Sequence, residues 1–280
     1  MAEFEIVIDN IAVFADGEND VQPSAVAPIS FSVDGKTLKD VDPEAILTAR
    51  KAGKRIRTQV VPKDTTLLLE NILASGKDVL YISVSSALSE SFHTADYIAK
   101  GLAIKFPDRK IIVIDSLACG GSEGLLFLHA KKLQNAELSI DEVAEELNEA
   151  KNILHHTFIT DDTSALTSDG VISQTSVVNL TPIFELSKDG QISVLQKTMG
   201  KKKVLADVIK YVTNTLNDNF CSTVVITYGN EEWARKIADD LIDKAPALNI
   251  KFAKANTYTS SYIGSRAVSV CFFGETRKRS

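Results

Sequence analysis

The chain has 280 residues, 44% of them hydrophobic and 24% charged, with a formal net charge of -6 and a pI near 5.4. This is the balance of an ordinary globular protein too long for one small core, and it excludes a disordered or fibrous chain as well as the clustered basic surface that nucleic-acid phosphates require. With neither a run of about 18 apolar residues nor an export leader in the sequence, a cytoplasmic chain without a membrane-spanning segment is expected.

In chain order, short apolar runs alternate with amphipathic stretches. Strands are predicted over 4–9, 27–33, 79–84 and 110–114. Helices are predicted over 43–52, 65–74 and 88–105, where leucine, isoleucine and alanine recur at three- and four-residue steps. Asp64, after Pro62, is the expected N-cap of the second helix and Gly76 its end. A further helix opens at Gly121-Ser122-Glu123-Gly124, and another covers 139–151, capped by Ser139 ahead of Glu142. Composition changes near His155. Beyond it come a strand at 158–160, a polar patch to Gly170, a strand at 192–196, a helix at 203–216, a strand at 223–228, a helix at 231–243, and strands at 250–255 and 267–273. The pattern predicts a two-domain α/β protein: a three-layer α/β/α domain with a parallel sheet over 1–155, then a smaller α/β domain with a mixed sheet over 156–280.

Several features carry possible chemistry. The segment Ser83-Val84-Ser85-Ser86-Ala87-Leu88-Ser89-Glu90-Ser91 is expected to pass from a buried strand straight into a helix, whose free N–H groups and serine hydroxyls would suit an anion. The ordinary alternative is capping by Ser86. Asp9 and Asp115 each end an apolar strand; they fit either a metal-assisted phosphotransferase or hydrolase, or simple capping of a turn. The glycines around Ser122 lack a phosphate-loop lysine and suit close packing at least as well. His93, His129 and His155-His156 have no ligand-spaced partners, so no metal site is expected. Cys119, Cys221 and Cys271 read as reduced thiols, Trp233 as a packing residue, and Lys201-Lys202-Lys203 and Arg277-Lys278-Arg279 as solvated ends.

The run Ser85-Ser86-Ala87-Leu88-Ser89-Glu90-Ser91-Phe92-His93-Thr94-Ala95 resembles the Ser-Ser-x-Leu-Ser-Gly-Thr-Tyr-x-x-Ala pattern of the DegV family. Other landmarks agree in order: Asp9-Asn10, Pro28-Ile29, Asp34-Gly35, Arg57-Thr58-Gln59 for Thr-Ser-Gln, Ile114-Asp115-Ser116, Leu166 to Ser173 with Asp169-Gly170, Pro182-Ile183, Asp189-Gly190 and Lys197. The resemblance implies a non-catalytic protein, without cofactor or metal, that binds a long-chain fatty acid such as palmitate or stearate as a carrier in lipid transport or fatty acid metabolism. It implies that hydroxyls of the first domain hold the carboxylate, that a tunnel reaching into the second domain holds the acyl chain, and that a separate fatty acid kinase is a partner. Thr58 and Ser89 are the implied contacts, with Ser86 and Ser91 beside them. This sequence departs from the family at Arg57, at Val171 and Met199 where arginines are usual, and at Tyr262-Ile263-Gly264-Ser265-Arg266, which replaces His-Thr-Gly-Pro-Gly. Tyr262 keeps a hydroxyl donor there, and Arg57 or Arg266 is the candidate for charge compensation. A regulatory module that has kept the fold and lost the ligand is the further alternative.

Overall fold

The run Phe4–Asp9 is buried at every position but one and forms β1, the kind of strand that only a sheet covered on both faces accommodates. The computed structural model describes residues 3–15, 22–38, 43–168, 170–172 and 181–277. Pro28 divides the next apolar run. In place of one strand over 27–33, the chain makes β2 (Ala25–Ala27), parallel to β1, and β3 (Ile29–Val33), which leaves for a second sheet. Proline has no N–H for a ladder; the Pro28 carbonyl instead accepts from Val61 N at 2.8 Å. β4 (Lys36–Thr37), α1 (Pro43–Lys51) and β5 (Ile56–Val60) follow, and β3, β4 and β5 form a small antiparallel sheet.

The helix α2 (Pro62–Ala74) opens at Pro62 itself, because the fixed φ of proline suits a first helical residue that needs no N–H partner. Val61 therefore takes the N-cap position, and Asp64 lies in the first turn, where its charge favours the helix dipole instead of capping. β6 (Asp78–Ser83), α3 (Ser91–Lys105), β7 (Ile111–Asp115), α4 (Gly120–Asn135) and α5 (Ile140–Ala150) complete a parallel sheet of order β2-β1-β6-β7. The expected Ser139–Glu142 capping box is present at α5. α2 and α3 cover one face, with Leu69, Leu73, Ile98 and Leu102 over Val7, Val79 and Tyr81. α4 and α5 cover the other, with Leu125, Leu126, Val143 and Leu147 over Ile6, Ile8, Leu80 and Ile82.

The rest of the chain is β8 (Leu154–Ile159), α6 (Ser164–Ser168), β9 (Thr181–Leu186), β10 (Ile192–Thr198), α7 (Lys201–Thr215), β11 (Thr223–Tyr228), α8 (Glu231–Lys244), β12 (Asn249–Lys254), α9 (Thr257–Ile263) and β13 (Val268–Phe273). Its mixed sheet runs β10-β9-β8-β13-β11-β12, six strands against four, with β11 and β12 parallel and the other pairs antiparallel. β9 is a strand despite Pro182, because β8 meets β9 only at Glu185 and Phe184, beyond the residue that lacks an N–H.

α4 lies between the two large sheets, packing on β1 and β6 and also on β8, β11 and β13. Gly120 through Phe127 are all buried, as a helix covered on every side requires. A side chain at Gly121 would strike the Thr227 hydroxyl and one at Gly124 the carbonyl of Val13, so close packing explains these glycines. α7 and α8 cover the far face of the mixed sheet, with Trp233 packed among them.

Arg277 is not a solvated end. It is buried, and its guanidinium donates to the carbonyls of Leu186 (3.1 Å), Ser187 (2.9 Å) and Lys151 (2.5 Å), a set of acceptors that suits its planar fork. Lys278 and Arg279 lie outside the described residues, whereas Lys202 and Lys203 are exposed as expected. Cys119 and Cys271 are buried free thiols and Cys221 is half-buried. Among the described residues no helix is long and apolar enough to cross a membrane.

Candidate functional site

The serine segment is a loop and not the start of a helix. α3 begins only at Ser91, with Glu90 in the N-cap position and no side-chain cap. Two acids fix the loop from either side of β6. The Asp9 carboxylate accepts from the Tyr81 hydroxyl, from Ser83 Oγ at 3.1 Å and from Val84 N at 2.8 Å. Asp115 accepts from Ser86 N (3.1 Å), Ser86 Oγ (2.5 Å) and Leu117 N (3.2 Å). Ser86 is thus drawn away to Asp115 and caps nothing. Burial pushes the Asp9 pKa up to about 6, against the pull of its three donors. Both acids do reach the same end of the parallel sheet, but each is committed to holding the chain. Among the described residues, no group of three histidines, cysteines or acids is placed to hold a metal.

Thr58, Ser89, Ser91 and Tyr262 do come together, from β5, the loop, α3 and α9, and all four are buried. β5 alternates inward Ile56, Thr58 and Val60 with exposed Arg57 and Gln59, so the strand period alone turns Thr58 in and Arg57 out. Tyr262 is delivered by α9, whose N-cap Asn256 accepts from Thr259 N at 2.9 Å and donates to the carbonyls of Asn10 (3.1 Å) and Ile11 (3.2 Å). Thr58 Oγ1 donates to Ser89 Oγ at 2.9 Å, and Ser89 Oγ donates to the Thr58 carbonyl at 2.8 Å. With the Thr58 proton so used, the Tyr262 hydroxyl is the donor in its contact with Thr58 Oγ1. Ser91 supplies its N–H to Ser89 Oγ at 3.2 Å and its own hydroxyl 2.8 Å away. Protons therefore run in one direction, Tyr262 to Thr58 to Ser89 to a backbone carbonyl, and a ligand oxygen could accept from the same groups by rotation of the hydroxyls.

Behind the cluster lies apolar surface: Tyr262 belongs to one packed group with Val84, Ile29, Phe158, Phe184 and Leu166. In front of it an open polar groove of 530 Å³ is lined by residues 53–58 and 86–90. Of the three cavities described, only this one touches the cluster, and none is an elongated apolar channel. Ser85 points elsewhere, donating at 2.9 Å to the carbonyl of Gly190 in the β9–β10 turn. Gly190 has φ +73° and lies against Ser85 and Leu117, so the turn from the mixed sheet closes on the serine loop.

The departures from the family pattern fall in different places. Arg57 pairs with Glu90 at 3.5 Å on the surface beside the groove. Arg266 cannot compensate charge at the cluster, because it pairs with Asp161 at 2.9 Å, also at the surface. Val171 is half-buried against the apolar group, and Met199 is 66% exposed. Asp169 and Ser173, two of the family landmarks, lie outside the described residues.

Two buried ionisable residues escape the sequence reading. Glu123, in the first turn of α4, is fully buried with no hydrogen-bond partner for either oxygen, and burial, then the nearby Asp9, pushes its pKa well up. Its signal was an acid within an otherwise small and apolar helix start. Arg50, in α1, is 2% exposed. It follows Ile46 by one helical turn, which is the local sign that it faces inward. His155 and His156 behave as core groups, whereas His93 is exposed. His155 Nδ1 lies 2.8 Å from the Tyr211 hydroxyl and its Nε2 2.8 Å from the Glu275 carbonyl; His156 Nδ1 lies 2.8 Å from Ser122 Oγ.

Comparison with known proteins adds an independent line. The model of the DegV family, described as one of uncharacterised proteins, matches residues 3–275. A DegV domain-containing protein of Clostridium perfringens is 24% identical over 287 residues, covering 95% of this chain and 98% of its own. A fatty acid-binding DegV family protein from Thermus thermophilus shares the fold with a TM-score of 0.80 at 19% identity, covering 98% of this chain and 100% of its own. The fatty acid kinase (Fak) B3 protein of Streptococcus pneumoniae, solved loaded with linoleic acid, gives 0.78 at 18% identity with the same coverage.

Proposed function

The chain belongs to the DegV family, and from that premise we propose that it binds a long-chain fatty acid without acting on it chemically, with the carboxylate at Thr58, Ser89, Ser91 and Tyr262. The observation that carries the reading is the buried hydroxyl cluster, assembled from segments more than 200 residues apart, with polar access in front and apolar side chains behind. Fatty acids bound in structural relatives support it. Burial of a tail of roughly sixteen carbons contributes on the order of 10 kcal/mol at about 0.8 kcal/mol per methylene, before ordering costs. The hydroxyls then fix which end of the ligand sits where. The acyl chain lies among the side chains around Phe158 and Phe184, which part to admit it. In this reading residues 1–155 supply most of the head-group site and residues 156–280 cover the tail, with Tyr262 crossing between them.

Nothing in the cluster activates a nucleophile. Each hydroxyl proton is already donated to another oxygen, and Asp9 and Asp115 hold the loop, so the phosphotransferase or hydrolase reading has no reacting centre to build on. The protein acts as a carrier, and the kinase in the name of the Streptococcus pneumoniae relative supports a separate kinase that receives the ligand at the groove. A second reading, a regulatory module without ligand, is favoured by one observation: the hydroxyls satisfy one another in the closed state. One experiment separates the two. Extraction of the denatured protein followed by mass spectrometry, with uptake of radiolabelled stearate by delipidated protein, is expected to detect a long-chain acid. Neither retention nor uptake would overturn the carrier reading in favour of the module.

A further inference from the structure

None of the three cavities described runs from the groove into the apolar group behind the hydroxyl cluster, so a wall has to move before a long tail can enter. The β9–β10 hairpin is the wall best built to do so. On one of its faces Phe184, Leu186, Ile192 and Val194 pack into the same apolar group as Tyr262. β10 is an edge strand, and β8 pairs with β9 only at Thr157–Glu185 and Phe158–Phe184, whereas β13 follows β8 from end to end. Towards its base, Ile183 and Leu195 belong to the apolar group that α7 covers, which anchors that half. Between base and tip the ladder slips by one residue at Leu195, a bulge that gives the hairpin a place to bend.

Beyond the short β8 ladder and the Thr157 hydroxyl on the Phe184 carbonyl, two contacts tie the tip down. Ser85 Oγ donates to the Gly190 carbonyl at 2.9 Å, and Ser85 directly precedes the Ser86–Glu90 wall of the groove. Arg277 is the stronger tie, because its donors are charged. One guanidinium nitrogen holds the carbonyls of Leu186 and Ser187, the other holds the carbonyl of Lys151 at the end of α5, and the Arg277 N–H donates to the Asn152 carbonyl at 3.1 Å. The acceptors are main-chain carbonyls outside the hydroxyl cluster, so these ties hold the free and the loaded protein alike. We propose that the hairpin tip, Phe184 to Val194, is the gate through which the acyl chain passes, and that Arg277 is its latch. When the tip bends outward at the bulge, the seam between Ser85 and Gly190 parts and joins the groove to the apolar group. This rests on the fatty acid reading above and names the moving part that reading requires.

Stopped-flow uptake and release of a fluorescent conjugated-polyene fatty acid by delipidated full-length protein tests the gate. In Arg277→Gln both rates are expected to rise by roughly 10- to 100-fold, while Kd, set by a cluster tied to β5 and α9, changes by less than about threefold. In the pair Ser85→Cys with Gly190→Cys, oxidation links tip to loop and is expected to stop uptake and release, and a reductant restores both; Ser85→Cys alone, treated alike, is the control. If Arg277→Gln does not fold, the cross-linked pair decides. A fall in affinity carried by release alone in Arg277→Gln overturns the proposal by making the hairpin a fixed wall, and so does equal uptake by the oxidised and reduced pair. Wild-type protein that takes up no acid removes the fatty acid reading and the gate with it, a result distinct from uptake whose rates ignore both changes.

Discussion

Replacing Ser89 with alanine separates the head of the ligand site from its tail. The Ser89 hydroxyl accepts from Thr58 Oγ1 at 2.9 Å and from Ser91 N at 3.2 Å, and donates to the Thr58 carbonyl at 2.8 Å. The Ser91 hydroxyl, 2.8 Å away, is a third donor to Ser89 Oγ, and the Thr58 carbonyl keeps the Glu90 N–H at 3.1 Å, so alanine orphans three donors and leaves no bare acceptor. Leaving buried donors unmatched costs about 1–3 kcal/mol, which is the expected loss of stability in the free protein. In the complex, a lost hydrogen bond to a charged head is worth roughly 1.5–3 kcal/mol, a fall in affinity of roughly 10- to 150-fold. The tail sets an independent number: each buried methylene contributes about 0.8 kcal/mol, or roughly fourfold per carbon. Calorimetric titration of a series of saturated acids of increasing length into the wild type and Ser89→Ala therefore gives two parallel lines of log Kd against carbon number. Coincident lines would refute Ser89 as a contact, and a flat slope in both proteins would refute the buried tail.

The remaining predictions concern groups around the site. Burial pushes both His155 and His156 down to about 4 from an ordinary value of 6.5, so each is neutral when folded. Their contribution is whole above pH 6.5 and is lost as pH falls toward 4, by about 3 kcal/mol each; the urea midpoint should drop through that window, and less steeply in His155→Gln. Glu123 has the opposite sign: its raised pKa makes burial costly as pH climbs above the ordinary carboxylate value. Glu123→Gln should stabilise the fold at pH 7–8 by on the order of 1 kcal/mol, a gain that shrinks toward pH 4.5 and is absent if the carboxyl is solvated. Gly190→Ala combines a positive φ with a methyl driven onto the Ser85 hydroxyl. It should cost about 1–3 kcal/mol and speed proteolysis at the β9–β10 turn, whereas a neutral outcome would show that the turn does not close on the loop.

How much of this was legible in the sequence depends on whether the cause was local. Apolar runs buried on both faces gave the strands Phe4–Asp9 and Thr223–Tyr228 to the residue, and Ser139 with Glu142 marked the start of α5, because each signal lies within a few residues. Thr58, Ser89, Ser91 and Tyr262 were recognised through family resemblance and do converge. The late start of α3 was not visible, since Ser86 is held by Asp115 from another strand, an interaction that helical periodicity cannot register. β5 was missed because its apolar positions are only Ile56 and Val60, with the inward Thr58 between them. Arg277 reads as a solvated end because sequence shows only a residue's neighbours along the chain, and what buries it is backbone from distant segments.

The buried charges also explain why the site can stay neutral until a ligand arrives. Asp9 and Asp115 hold the start of the serine loop, at Val84 and Ser86, and Arg277 holds the end of β9, whose turn meets the same loop through Ser85. These charges fix backbone, so removing any one of them would shift the loop before it changed the electrostatics of the cluster. Thr58, Ser89 and Tyr262 contribute donors that can turn, because a hydroxyl exchanges one acceptor for another without moving the chain. A carboxylate entering from the groove would take over those donors one for one, so what the fold must supply is their spacing. The helix α1 packs on both β5 and α9, so its packing sets the distance between Thr58 and Tyr262. Site geometry is therefore held through α1: a substitution that shifts this helix, such as Ile46→Ala in the pocket of Phe31 and Ile56, should weaken acid binding without touching a ligand-contacting atom.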